Sequence, residues 1–123
     1  MPVTLQRILC PVDFSDFSRR ALDHALALAR WYEARVEVLH VVAVESAAVY
    51  SEYPDLKALT AVPAGRLAVE LDHFVEPYRS AKVAIETTLQ EGHIVNQILH
   101  QARAMPADLI VIGSHGQIGR AHV

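Results

Sequence analysis

Residues 6–30 read QRILCPVDFSDFSRRALDHALALAR, and the character of the chain changes once within them. Gln6 to Phe14 is a short apolar run closed by Pro11 and Asp13, without the polar alternation of a half-exposed strand. It reads as a strand buried on both faces, as parallel sheets require. From Ser18 to about Tyr32 the period becomes helical: Ala21, Ala25 and Ala29 repeat every four residues beside Leu22 and Leu26. That makes one apolar face, with Arg19, Arg20, Asp23 and Arg30 largely outside it, and Ser15 is placed to cap the helix.

The same alternation continues downstream. ARVEVLHVV (34–42) is a second, valine-rich strand. Residues 43–63 are a weakly patterned connection, long for a loop without structure of its own. A helix follows from about Ala64 to Tyr78, with Leu67, Leu71 and Phe74 on its buried side and Pro77 stopping it. KVAIETTLQEG (82–92) alternates, Val83, Ile85, Thr87 and Leu89 against a mostly polar opposite face, which suits an edge strand. After Gly92 a third helix carries the stripe Ile94, Val95, Ile98, Leu99 and Ala102, ended by Pro106, and DLIVIG (108–113) is a fourth strand.

Strands alternating with helices predict a Rossmann-like, doubly wound α/β fold with a parallel sheet. With the polar third strand at an edge the order is 3-2-1-4, and ligands of such sheets sit beyond the carboxyl ends of the strands where the order reverses. That point lies between the first and fourth strands, and both Asp13 and Gly113 are at it. A fourth strand as apolar as Leu109 to Ile112 would ordinarily be central and covered on both faces; with the chain ending soon after it, its outer edge is expected to be unpaired and apolar surface of the sheet exposed.

The totals narrow the function. The chain has 123 residues, 52% hydrophobic and 20% charged, which fits one domain with a single core. A net charge of −3 argues against a nucleic-acid partner. No apolar run is long enough to span a bilayer and no signal-peptide pattern opens the chain, so a cytoplasmic location is expected. One cysteine, Cys10, excludes an internal disulfide and reads as an inert core thiol. The histidines show no metal-ligand spacing, and no nucleophile sits beside a base.

Two places remain for chemistry. A carboxylate at Asp13 could accept from a ribose hydroxyl or a base amino group, or could serve the start of the first helix; both alternatives stay open. Gly113-Ser114-His115-Gly116 follows the fourth strand, and such glycines let backbone N–H groups approach a phosphate. The spacing matches neither a Walker A loop nor the dinucleotide fingerprint. His115 could meet a phosphate or simply be an exposed loop histidine. Binding is better supported than catalysis.

ILCPVDFSDFSRRALDHALALA (8–29), VEVLHVV (36–42) and ADLIVIGSHG (107–116), in this order and at these separations, resemble the universal stress protein family. The resemblance covers Arg7 to Gly116. It implies a Rossmann-like fold, a cytoplasmic protein and a homodimer. Many members bind ATP, for which Mg2+ is a candidate companion, through Gly-x-x-Gly followed after a spacer by Gly-Ser/Thr. Gly113 and Gly116 match the first two glycines, with His115 between them. Asp13 matches the aspartate that contacts the adenosine, Pro11 lines the same mouth, and Val41 matches the position whose backbone meets the adenine.

The second half of that motif falls beyond Val123, together with the family's fifth strand and last helix. Residues 117–123 resemble the translation of a sequencing adapter, so residues 1–123 are expected to be one C-terminally incomplete domain with a foreign tail. The resemblance implies an ATP-binding stress-response module, at most a weak ATPase. A family member that binds no nucleotide and acts through its dimer surface or a partner is the alternative.

Overall fold

A computed structural model describes residues 4–43, 52 and 64–113. Four strands form one parallel sheet in the order β3-β2-β1-β4. They are β1 (Arg7–Pro11), β2 (Arg35–Ala43), β3 (Ile85–Gly92) and β4 (Leu109–Ile110), separated by helices α1 (Asp16–Tyr32), α2 (Ala64–Val75) and α3 (Ile94–Ala104). The expected topology is the observed one. β1 is central: Ile8 and Leu9 pair with Val36 and Glu37 on one side and with Leu109 and Ile110 on the other. Ile8, Leu9 and Cys10 are accordingly fully buried.

The two faces of the sheet are packed differently. Ile8, Cys10, Val12, Val36, Val38 and Ile85 meet Leu22, Ala25 and Ala29 of α1 and Leu71, Phe74 and Val75 of α2 in the larger core. Leu9, Leu39 and Val41 meet Ile98 of α3 in the smaller one. On α1 the buried set is Ser18, Ala21, Leu22, Ala25, Leu26 and Ala29, which includes the two rows read from the sequence.

Several boundaries differ from expectation. β1 ends at Pro11 rather than Phe14, because proline has no N–H for the ladder and Phe14 turns the chain with φ of 67°. α1 starts at Asp16, before Ser18, because Ser15 holds an extended N-cap conformation and accepts from the Ser18 N–H. Pro77 does not stop the second helix at residue 78. α2 ends at Val75 and tightens into a 3-10 helix, Glu76–Ala81, whose first turn tolerates proline, and Lys82 in the left-handed region closes it. β3 begins at Ile85, so Val83 lies outside it.

Of the next two elements, α3 corrects the sequence reading more deeply and β4 follows it. Of the stripe expected on α3, only Ile98 is buried and Ala102 half-buried; Ile94, Val95 and Leu99 are 51%, 67% and 43% exposed. Among the described residues α3 is the one helix on its face of the sheet, so one ridge reaches the strands and its flanks have no neighbour. β4 is short and pairs only with β1 among the described residues, and Ile110 and Ile112 are exposed, as expected of its open edge. Two polar devices fix these elements. Asp108 Oδ2 accepts from the Gln6 and Arg7 amides at 2.8 and 3.0 Å, tying the foot of β4 to β1. Glu37 on β2 accepts from Thr88 Oγ1 at 2.7 Å and from Gln101 Nε2 at 3.0 Å, pinning α3 across the sheet. No described helix is long and apolar enough to cross a membrane.

Candidate functional site at the carboxyl ends of the strands

The β1–β2 ladder makes its last backbone bond where the Val12 amide donates to the Leu39 carbonyl at 2.8 Å. There the chain leaves the sheet, and the left-handed Phe14 swings it toward α1. Asp13 sits at this departure. Its amide donates to Ser18 Oγ at 2.8 Å. Its Oδ1 accepts from the Ser15 amide at 3.0 Å, the Ser18 hydroxyl at 2.6 Å and the Ser15 hydroxyl. Ser15 Oγ in turn accepts from the Ser18 N–H at 3.2 Å.

This network gives Asp13 the helix-start role through one of its two oxygens. Ser15 is the helix cap, and Oδ1 holds Ser15 and Ser18 in place. Oδ2 has no protein partner among the described residues and belongs to an exposed side chain. Partial desolvation pushes the carboxyl up, but the hydrogen bonds from Ser15 and Ser18 outweigh it and hold the group below the usual carboxylate range. At neutral pH Asp13 is therefore ionised at the end of the sheet, with Oδ2 unpaired among the described residues.

Gly113 reaches the same place from β4. The Val111 amide donates to the Leu9 carbonyl at 2.9 Å, extending the pairing toward the mouth. At Gly113 a Cβ would lie 2.3 Å from the Phe17 carbonyl oxygen and 3.1 Å from the Ser18 nitrogen. Only glycine lets this backbone rest on the first turn of α1, where the helix dipole favours an anion. Asp13 and Gly113 thus converge on one residue, Ser18, which is 4% exposed.

The remaining expected residues divide. Pro11 is buried at the end of β1, and Val41 is buried near the end of β2 with Gln90 as its strand partner. His115 and Gly116 lie outside the described residues, as do residues 117–123 and most of the 43–63 connection. Sequence reading missed Ser18, whose spacing from Asp13 carries the signal once Ser15 is taken as the cap. It also missed Phe14 and His40, which no periodicity marks.

Other groups offer less. Burial pushes the Cys10 thiol up to about 12, so it is neither nucleophile nor ligand at neutral pH. No cluster of three metal-ligating side chains occurs among the described residues. A hollow of about 240 Å3 at the opposite, amino end of the strands is lined by Arg7, Arg35, Glu37, Glu86 and Gln101. There Arg35 pairs with Glu86 at 3.0 Å and Glu37 is taken by Thr88 and Gln101, so its polar groups largely satisfy one another.

A family profile described as the universal stress protein family matches residues 4–123. The chain belongs to the universal stress protein family. Universal stress protein MJ0531 of Methanocaldococcus jannaschii is 31% identical over 93% of this chain and 67% of its own. Universal stress protein YxiE of Bacillus subtilis is 30% identical over 92% and 81%. Among solved structures, a universal stress protein family member from Burkholderia pseudomallei superposes with a TM-score of 0.67 at 29% identity, covering 94% of this chain and 86% of that one. Two more distant structures share the fold. A universal stress protein in complex with cAMP has a TM-score of 0.64 at 23% identity, over 88% and 75% of the two chains. One from Arabidopsis thaliana with AMP bound has a TM-score of 0.59 at 18% identity, over 90% and 77%.

Proposed function

We propose that this universal stress protein is an adenine-nucleotide-binding module, with ATP as its principal ligand, acting in the response to stress in the cytoplasm as a homodimer. The observation that carries the reading is the asymmetry at Asp13: one carboxylate oxygen is consumed by the helix start while the other, ionised, has no protein partner among the described residues. The cAMP and AMP complexes of family members with the same fold support an adenine nucleotide as its occupant.

In this reading Oδ2 accepts from a ribose hydroxyl, Pro11 forms a wall, and the Val41 backbone meets the adenine. The phosphates lie against the amides from Gly113 to Gly116 and the amino end of α1, with His115 beside them, and Mg2+ arrives on the phosphates. The described residues of the arrangement offer hydrogen-bond acceptors and close backbone approach, and the reading is one of binding rather than turnover. The exposed Ile94, Val95, Leu99, Ile110 and Ile112 favour a second reading, in which the protein acts through a partner surface without nucleotide.

Isothermal calorimetry with ATP, AMP, cAMP and GTP separates the two. The first reading expects saturable heat with the adenine nucleotides, reduced at least about tenfold in affinity by Asp13→Ala, since a hydrogen bond to a charged group is worth about 1.5–3 kcal/mol. Absence of heat with every adenine nucleotide overturns it and leaves the second.

A further inference from the structure

Asp13 is held on one side by Ser15 and Ser18, but those residues do not explain where the turn that carries it stands relative to the sheet. His40 does. It lies half-buried near the carboxyl end of β2, with ring Nδ1 2.8 Å from the Val12 carbonyl oxygen. A carbonyl only accepts, so Nδ1 carries the hydrogen and donates. Val12 is therefore tied to two successive residues of β2, its amide to the Leu39 carbonyl and its own carbonyl to the His40 ring. The side chain takes over at the point where the backbone ladder ends.

The same ring lies against Phe14, centroids 4.4 Å apart and planes at 40°. Phe14 is in the left-handed region that a bulky side chain rarely adopts, and its ring also meets the edge of Phe74 at 5.6 Å. His40 thus bonds the residue before Asp13 and stacks on the residue after it, with no hydrogen bond to Asp13 itself. We propose that His40 is the positioning residue of this site: by gripping Val12 and Phe14 together it sets the direction in which the Asp13 carboxylate faces the ligand. The consequence for binding rests on the nucleotide reading above; the positioning itself does not.

The test uses the full chain with His40→Phe, which keeps a ring to stack and removes the donor, and His40→Gln, which keeps a donor and removes the ring. Circular dichroism first establishes that each folds; should one not, the other carries the measurement. Without any nucleotide, the 13C resonance of the Asp13 carboxyl and its titration midpoint are followed by NMR. The expected result is a midpoint moved up toward the ordinary carboxylate range as the Ser15 and Ser18 bonds loosen. With ATP, each variant is expected to lose about tenfold in affinity, and to cause no further loss when combined with Asp13→Ala. An unchanged Asp13 resonance and midpoint in the folded variants overturns the proposal, as does a loss that adds fully to that of Asp13→Ala. If the parent protein binds no adenine nucleotide, the nucleotide reading fails while the ligand-free NMR arm still decides the role of His40.

Discussion

Asp13 and Ser18 exchange hydrogen bonds in both directions: the Asp13 amide donates to Ser18 Oγ at 2.8 Å, and the Ser18 hydroxyl donates to Asp13 Oδ1 at 2.6 Å. One buried serine therefore satisfies a backbone donor at the sheet's exit and half of a carboxylate at the ligand mouth. The pairing makes the start of α1 and the candidate site a single structure, so damage to one is felt by the other.

Ser18→Ala breaks both bonds and leaves the Asp13 N–H without its partner. The expected cost is about 1–3 kcal/mol, read as a lower urea midpoint. Ser15→Ala removes the cap and one Asp13 contact and is expected to cost about 1 kcal/mol. A double mutant whose cost departs from the sum of the singles by at least about 0.5 kcal/mol would show the network acting as a unit.

Gly113→Ala drives a Cβ into the Phe17 carbonyl, which is backbone and cannot rotate aside. Either β4 or the first turn of α1 must shift, for an expected loss of about 1–3 kcal/mol. Faster hydrogen exchange at the Val111 amide, now bonded to Leu9, would locate the shift in β4; ATP affinity should fall with it.

Acid should act through Asp108 and Asp13. Hydrogen bonds from the Gln6 and Arg7 amides hold the Asp108 carboxyl below the usual range, and Asp13 is likewise lowered. A depressed folded value means stability that is present above the unfolded pKa of about 3.9 and lost as pH falls through the folded values. Unfolding free energy should thus be insensitive to these two groups above about pH 5 and decline below about pH 4. Asp108→Ala should make that decline shallower while lowering stability at neutral pH. Equal slopes for variant and parent would remove Asp108 from the acid response.

Cys10 should not react with a disulfide reagent at pH 8 in the native protein, because burial keeps its thiol protonated and out of reach. Modification is expected only on opening, so its rate should track denaturant concentration. Prompt stoichiometric labelling without denaturant would contradict the packing of β1.

The topology was legible because few alternatives satisfy the pattern: the first strand, apolar on both faces, is internal, and the alternating third strand with its polar face is an edge. Asp13 and Gly113 could be placed at one mouth for the same reason. What lay beyond periodicity was conformational or long-range. The turn at Phe14 depends on a backbone state that residue types rarely announce, and its partner His40 comes from another strand. The stripe on α3 was real as a pattern, but a pattern records which residues share a helix face and not whether a second helix comes to cover it. Ser18 was counted as helix and is helical; what periodicity could not mark is that its hydroxyl also ties the helix to Asp13.

The order β3-β2-β1-β4 also has a consequence in time. β1 is made first, yet the strand that completes its environment is the last of the four described, and the Asp108–Gln6 clasp joins positions 102 residues apart. During synthesis the first three strands and their helices have emerged before Gly113 exists to rest on α1. The mouth is therefore a late product of translation, complete only once the chain has been made and folded as far as its fourth strand.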